Sequence, residues 1–387
     1  MRDEVRPLGI YIHIPFCVKK CKYCDFLSVS ASESVKAEYV NALEDEIRGR
    51  REKFDVRDTA YGVRTIYIGG GTPSCMDYRL ILRLMDCLKC EFEITDTKDT
   101  EVTIEVNPGT VTDEKLRAYL EAGINRLSIG LQSADENELK TLGRIHGLDD
   151  FLRTYEAARQ AGFSNINVDI MTALPGQTEE SLMRTLDLVT GLKPEHISAY
   201  SLIIEEGTPF YEMYGSQDKR PADEETERRM YHMASDRLRD SGYLRYEISN
   251  FALSGYESRH NTSYWKRDDY FGFGLGASSL IANVRYKNTT SLKDYVNHSS
   301  SSELFEERID LNRENAMEEF MFLGLRMSEG VSEDDFFSEF GVSVREEYAK
   351  ELEKYTQEGL LVEHAGRICL TELGIDYGNY VFSGFLH

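Results

Sequence analysis

The sequence predicts an α/β protein, an open, partial (β/α)6 barrel followed by a small C-terminal helical module of winged-helix type. Three observations predict it. From residue 8 to about 240, short apolar β-branched runs alternate with amphipathic helical stretches, the pattern of repeated βα units around a parallel sheet. Such units number six, too few for a closed eight-stranded barrel and too regular for a sandwich. After residue 303 the order changes to helical stretches followed by a hairpin pattern.

The strands fall at 9–14, 65–69, 101–106, 125–130, 165–171 and 195–202, each an apolar run rich in β-branched residues. Between them lie helices near 33–52, 76–90, 112–122, 149–161 and 178–191, with a highly charged one near 223–241 after the last strand. Residues 1–240 therefore form the barrel. Residues 241–302 are less regular and form an extension that ends in the linker-like run Ser299-Ser300-Ser301-Ser302. Residues 303–387 form the C-terminal module, with helices near 314–327, 332–339 and 344–358 and a hairpin turning at Ala365-Gly366.

At 387 residues, 41% hydrophobic and 29% charged, the chain is long enough for two or three cores, and disorder is excluded. No stretch approaches the roughly 20 apolar residues that cross a bilayer. The start, Met1-Arg2-Asp3-Glu4, is not a basic-then-apolar leader, so a cytoplasmic protein is expected. Its 45 basic and 68 acidic residues leave a net charge of −23, which repels phosphate backbones and argues against a nucleic-acid partner. From Glu303 onward 7 basic residues face 20 acidic ones, so the C-terminal module reads as a docking element rather than a DNA reader.

Function in such barrels collects at the carboxyl ends of the strands. Cys17, Cys21 and Cys24 follow the first strand, Gly69-Gly70-Gly71-Thr72-Pro73 the second, and Glu105-Val106-Asn107-Pro108 the third. Gln132 ends the fourth, and Asp169 lies near the end of the fifth. Three thiolates spaced by three and then two residues can hold three corners of a [4Fe–4S] cubane and leave the fourth iron open to a substrate. Zinc and unpaired surface thiols are the alternatives, although structural zinc wants four ligands. Lys19, Lys20 and Lys22 flank the thiols, either to offset thiolate charge or as solvated surface.

Cys17-x3-Cys21-x2-Cys24, with Tyr23 before the third cysteine and Tyr11-Ile12-His13-Ile14-Pro15-Phe16 before the first, resembles the signature of the radical S-adenosylmethionine (SAM) superfamily. The resemblance implies a TIM-like partial barrel of the radical SAM type. It also implies a cluster whose open iron is chelated by the methionine of SAM, and a sulfonium cleaved to a deoxyadenosyl radical. Over nearly its whole length the chain is similar to the coproporphyrinogen-dehydrogenase-like branch. The shared motifs include Gly69 to Pro73, Glu105 to Pro108, Ser128 to Ser133, Gly143-Arg144, Asn167-Val168-Asp169 and Leu174-Pro175-Gly176-Gln177-Thr178. Carried over by position, Tyr11, Gly70, Gly71, Thr72, Glu105, Gln132, Arg144 and Asp169 would bind SAM, with Tyr23 offered to the adenine. Arg144 suits the methionine carboxylate, Glu105 its ammonium, and Asp169 or Gln132 the ribose hydroxyls. Met171-Thr172-Ala173 departs from the family pattern, which has an aromatic and a glycine before Leu-Pro.

Within that branch the oxygen-independent coproporphyrinogen III dehydrogenases carry a fourth cysteine two residues after the third, and a long N-terminal extension. Here Asp25-Phe26 follows Cys24, and sixteen residues precede Cys17. His260-Asn261-Thr262-Ser263-Tyr264-Trp265 instead resembles the HNxxYW motif of HemW-type haem chaperones. That resemblance implies a protein that holds haem and delivers it to haem-accepting proteins such as respiratory complexes, at most peripherally at the inner face of the membrane. A homodimer is a candidate assembly. His260, Asn261, Tyr264 and Trp265 become the haem candidates, with Arg259, Lys266 and Arg267 as partners for the propionates. An imidazole is a suitable axial ligand and the rings can lie against the macrocycle. For His260 a hydrogen-bonded packing role is the competing reading. The alternatives to a chaperone are the dehydrogenase itself, disfavoured by the missing cysteine, and a radical SAM enzyme acting on another small molecule.

Overall fold

Alternation along the strands decides the architecture, because successive side chains of a strand point to opposite faces. In β1 (Arg6–Ile14), Leu8, Ile10, Ile12 and Ile14 are fully buried on one face. Ile66 and Ile68 of β2 (Tyr61–Gly70), Val102 and Ile104 of β3 (Glu101–Val106), and Leu127 and Ile129 of β4 (Arg126–Gln132) repeat the pattern. Val168 of β5 (Ile166–Thr172) and Ile197 of β6 (His196–Ser201) complete it. This apolar face packs against the outer helices α1 (Glu33–Phe54), α2 (Tyr78–Glu91) and α3 (Asp113–Glu121) in one continuous core. The computed structural model describes residues 6–54, 61–94, 99–216 and 219–386. The Met1-Arg2-Asp3-Glu4 start lies outside the described residues.

β1 to β6 lie side by side in sequence order, each parallel to the next. α4 (Glu136–Leu142) and α5 (Leu148–Ala161) follow β4, α6 (Glu179–Leu192) follows β5, and α7 (Pro209–Tyr214) and α8 (Glu224–Asp240) follow β6. The six expected βα units are thus present. The extra helices α4 and α7 are six or seven residues long, too short to show a helical period in the sequence.

Residues 241–302 do not stand apart from the sheet. β7 (Leu244–Glu247) and β8 (Asn250–Ala252) extend it antiparallel beyond β6. After α9 (Arg259–Trp265), β9 (Tyr270–Phe273) pairs parallel with β1, and β10 (Ser278–Ile281) and β11 (Val284–Asn288) extend that flank. The serine run expected as a linker instead follows α10 (Leu292–His298), carries a short 3-10 turn at Ser302–Leu304, and leads into β12 (Phe305–Asp310), which pairs with β11. β7 to β11 have only three to five residues, too few for alternation to stand out in the sequence. The sheet has twelve strands with β7 and β12 at its two ends, an open α/β barrel.

A second, smaller core, including Met321, Leu325, Phe336, Tyr348, Leu352, Ile368 and Phe385, begins beyond β12. It joins α11 (Arg313–Gly324), β13 (Val331–Ser332), α12 (Glu333–Phe340), α13 (Val344–Glu347) and α14 (Ala349–Gln357) to the hairpin β14 (Leu361–His364) and β15 (Arg367–Leu370). Helices followed by a hairpin match the expected module. The helix expected at 344–358 is broken at Tyr348, whose backbone leaves helical geometry, and α15 (Glu372–Asp376) and α16 (Gly378–Ser383) complete the chain.

Candidate functional site

The inward face of the barrel is polar, and its two ends are built differently. At the carboxyl end the loop after β1 is pinched at its base, where Cys17 N donates to Val29 O at 3.1 Å and Val29 N to Pro15 O at 2.8 Å. It is then pinned to its neighbours, with Lys22 N bonded to Leu142 O and Phe210 N to Lys22 O, each at 3.0 Å. The short helices α4 and α7 therefore serve as the seat of the cysteine loop. Cys17, Cys21 and Cys24 line one cavity of about 310 Å³, together with Tyr23, Gly70, Gly71, Thr72, Glu105, Gln132, Arg144 and Asp169. Among the described residues no three Cys, His or acidic side chains close on a point as a single ion requires. A cubane instead spreads its three thiolates over separate iron atoms.

Gly70 and Gly71 are fixed by the turn itself. Gly70 has φ +110°, and a Cβ there would lie 2.5 Å from the His13 ring. A Cβ on Gly71 would lie 2.8 Å from the Phe16 carbonyl, while the Gly71 amide donates to Ile14 O. The turn thus presses β2 against the base of the cysteine loop and sets Thr72 Oγ1 3.4 Å from Cys17 Sγ.

Glu105 accepts from Tyr67 OH at 2.9 Å and from the Gly70 amide at 3.0 Å. Burial, with Asp169 opposite, pushes its pKa up to about 7. Burial likewise raises Asp169, which is held by Asn167 at 2.7 Å and Ser128 at 3.3 Å. Two half-buried carboxyl groups thus face one cavity. Arg144 lies across from them, donating to Gly130 O at 3.0 Å and toward Cys21 Sγ at 3.6 Å. Burial opposes its charge, but the Tyr23 phenol and the Cys21 thiol outweigh burial and raise its pKa, and its Nε has no partner. Desolvation pushes the Cys24 thiol up to about 11. Gln132, with φ +73°, holds a left-handed conformation rare outside glycine while its side chain accepts from Tyr200 OH.

The expected SAM residues thus converge on one cavity, with Tyr11 set behind it. The Tyr11 hydroxyl bonds His13 at 3.0 Å and its ring stacks on Tyr67. Tyr67 and Tyr200 line the cavity and escaped the sequence reading, although both face inward on their strands near the carboxyl rim. That position was the available signal.

At the amino end, α9 plugs the barrel. Ser258 caps it, and Glu101 accepts the backbone amides of Arg259 and His260 at 3.1 Å each. His260 is 1% exposed, with Nδ1 2.8 Å from Thr65 Oγ1 and Nε2 2.9 Å from Tyr264 OH, and its ring stacks on Tyr67. Burial, with Arg126 nearby, lowers its pKa to about 3. A haem iron at His260 would have to displace Thr65 or Tyr264. The proposed propionate partners are likewise engaged: Arg267 with Glu319 at 2.9 Å, Lys266 with Glu329 at 3.3 Å, and Arg259 with Asp99 O at 2.9 Å. Asn261 is half-buried within α9, where its backbone N–H donates to Ser258 Oγ. Trp265 is half-buried under Arg326, 4.3 Å from its ring centre, beside a second cavity of about 300 Å³ against the C-terminal module.

Residues 11–189 match the Radical SAM superfamily, and residues 311–377 match the HemN C-terminal domain. The chain is 37% identical over 377 residues to "Heme chaperone HemW" of Bacillus subtilis (strain 168), covering 97% of this chain and 98% of that one. It is 33% identical over 390 residues to "Heme chaperone HemW" of Escherichia coli (strain K12), covering 99% of each. The solved coproporphyrinogen III oxidase HemN of Escherichia coli, described as a radical SAM enzyme, superposes with a TM-score of 0.84 at 24% identity, over 98% of this chain and 90% of that one. That likeness concerns the fold.

Proposed function

The chain belongs to the HemW family of the radical SAM superfamily, and on that premise we propose that it is a haem chaperone carrying a [4Fe–4S] cluster and SAM. The observation that carries the proposal is the convergence of three thiols, an arginine and two half-buried carboxyl groups on one cavity at the carboxyl rim. Cys17, Cys21 and Cys24 would hold three corners of the cluster. Arg144 would pair with the methionine carboxylate, and its free Nε and its place beside Cys21 support that role. Glu105 would meet the ammonium, Asp169 and Gln132 the ribose, and Tyr23 the adenine. Gly70 and Gly71 would bring the backbone within reach, with Thr72 beside Cys17. When bound, the cluster supplies an electron to the sulfonium of SAM.

The chaperone would deliver haem to haem-dependent acceptors, respiratory proteins among them, as a cytoplasmic protein or a peripheral one at the membrane's inner face. Among the described residues no helix is long and apolar enough to cross a membrane. Asp25-Phe26 stands where the dehydrogenases carry a further cysteine, which supports a carrier over a decarboxylating enzyme. The test is transfer. Anaerobically reconstituted protein loaded with haem and mixed with an apo-haem protein is expected to pass its Soret band to the acceptor. Failure to bind haem, or conversion of coproporphyrinogen III to protoporphyrinogen IX at enzymatic rates, would contradict the reading.

A further inference from the structure

The cysteine loop and the neighbouring segment after α4 display side chains that neither the cluster nor SAM uses. Phe26 is 57% exposed, Val18 60% and Ile145 46%. Phe26 and Ile145 border the thiol-lined cavity, and so do Lys19 and Lys20. Exposed aromatic and aliphatic side chains gathered at the mouth of a cavity mark a binding surface. The charge there is also out of character. In a chain of net charge −23, residues 17–27 hold Lys19, Lys20 and Lys22 against the single acid Asp25. Among the described residues neither Lys19 nor Lys20 has an ion-pair partner.

Resting on the haem-chaperone reading, we propose that haem docks on this mouth, its macrocycle on Phe26 and Ile145 and its propionates on Lys19 and Lys20. A flat apolar ligand with two carboxylates at one edge is complementary to an apolar patch with two cations at its border. The cavity beside Trp265 is less suited, because Asp335, Glu329 and Glu339 line it and its cations are already paired with carboxylates. At the floor, His260 presents no free nitrogen.

The experiment is anaerobic haem titration of the reconstituted full chain, read as Soret change and Kd. Phe26→Asp is expected to weaken haem at least about tenfold, by removing apolar contact and adding a charge. Lys19→Glu combined with Lys20→Glu is expected to weaken it about three- to tenfold. Phe337→Ala, at an exposed position of the C-terminal module, is expected to leave the affinity unchanged. A measurement on the unaltered chain needs no variant: iron protoporphyrin IX dimethyl ester, which lacks the carboxylates, should bind more weakly than haem. Equal affinity for haem and ester, together with wild-type Kd in the Phe26 and lysine variants, would overturn the docking site and leave the chaperone reading standing. Absence of any haem binding by the unaltered chain would remove both.

Discussion

The two ends of the barrel are both lined by polar side chains and do opposite things with them. At the amino end every ring nitrogen of His196 and His260 has a protein partner: Asn167 and Tyr246 for one, Thr65 and Tyr264 for the other. At the carboxyl end three thiols, two carboxylates with raised pKa values and a guanidinium with an unpartnered Nε face an open cavity. Buried polar groups are expected to be satisfied, so the unpartnered Arg144 Nε beside an open cavity points to a guest at the rim. Both floor histidines are fully hydrogen-bonded within the protein, whereas the rim lines an open cavity.

That contrast can be broken most severely at the rim. Replacing Cys24 by Ser should abolish the four-iron centre altogether, seen as loss of the cluster's visible absorbance after anaerobic reconstitution, while the far-ultraviolet circular dichroism stays unchanged. The floor should answer in the opposite currency. His260→Ala leaves Thr65 and Tyr264 unpartnered in a buried cavity and should cost about 2–4 kcal/mol in denaturant unfolding, with the cluster still assembled. Arg144→Ala is expected to weaken SAM about ten- to a hundredfold by isothermal titration, the worth of a lost charge-assisted hydrogen bond of about 1.5–3 kcal/mol. Gly71→Ala drives a methyl into the Phe16 carbonyl and should lower stability by about 1–3 kcal/mol while loosening the seat of Cys17.

The last effect concerns pH. The folded His260 has a pKa near 3 against an ordinary 6.5, so its neutral form is favoured by folding. Its contribution is fully present above about pH 6.5 and is lost as pH falls toward about 3, because the unfolded chain then takes up a proton that the folded one refuses. Glu105 works with the other sign, its contribution present below the ordinary carboxyl pKa of 4.5 and lost as pH rises through about 7. The stability difference between wild type and His260→Ala isolates the first of these. It should shrink by up to about 1.4 kcal/mol per pH unit below pH 6.5, and a pH-independent difference would assign the histidine's role to packing alone.

Much of this arrangement was legible in the sequence, for a definable reason. The six parallel strands and their helices span enough residues for alternation and helical periodicity to register, and the rim residues lie at fixed positions after those strands. The cysteine spacing, Gly70, Gly71, Glu105 and Asp169 could therefore be brought together from the sequence, whereas Arg144 came only with the family resemblance. The short elements could not be read. β7 to β11 hold three to five residues each, so the region that carries α9 looked irregular when it supplies both flanks of the sheet. The burial of His260 was invisible for a different reason: its partners Thr65 and Glu101 stand roughly 160 to 195 residues away in the chain, and no local pattern announces such a pairing.

Electron paramagnetic resonance of the dithionite-reduced, anaerobically reconstituted chain tests the central claim most directly. An open carboxyl end predicts the signal of a single four-iron cluster whose line shape changes when SAM is added and stops changing in Arg144→Ala. A cluster signal indifferent to SAM, or no four-iron signal from protein that has retained its fold, would contradict it.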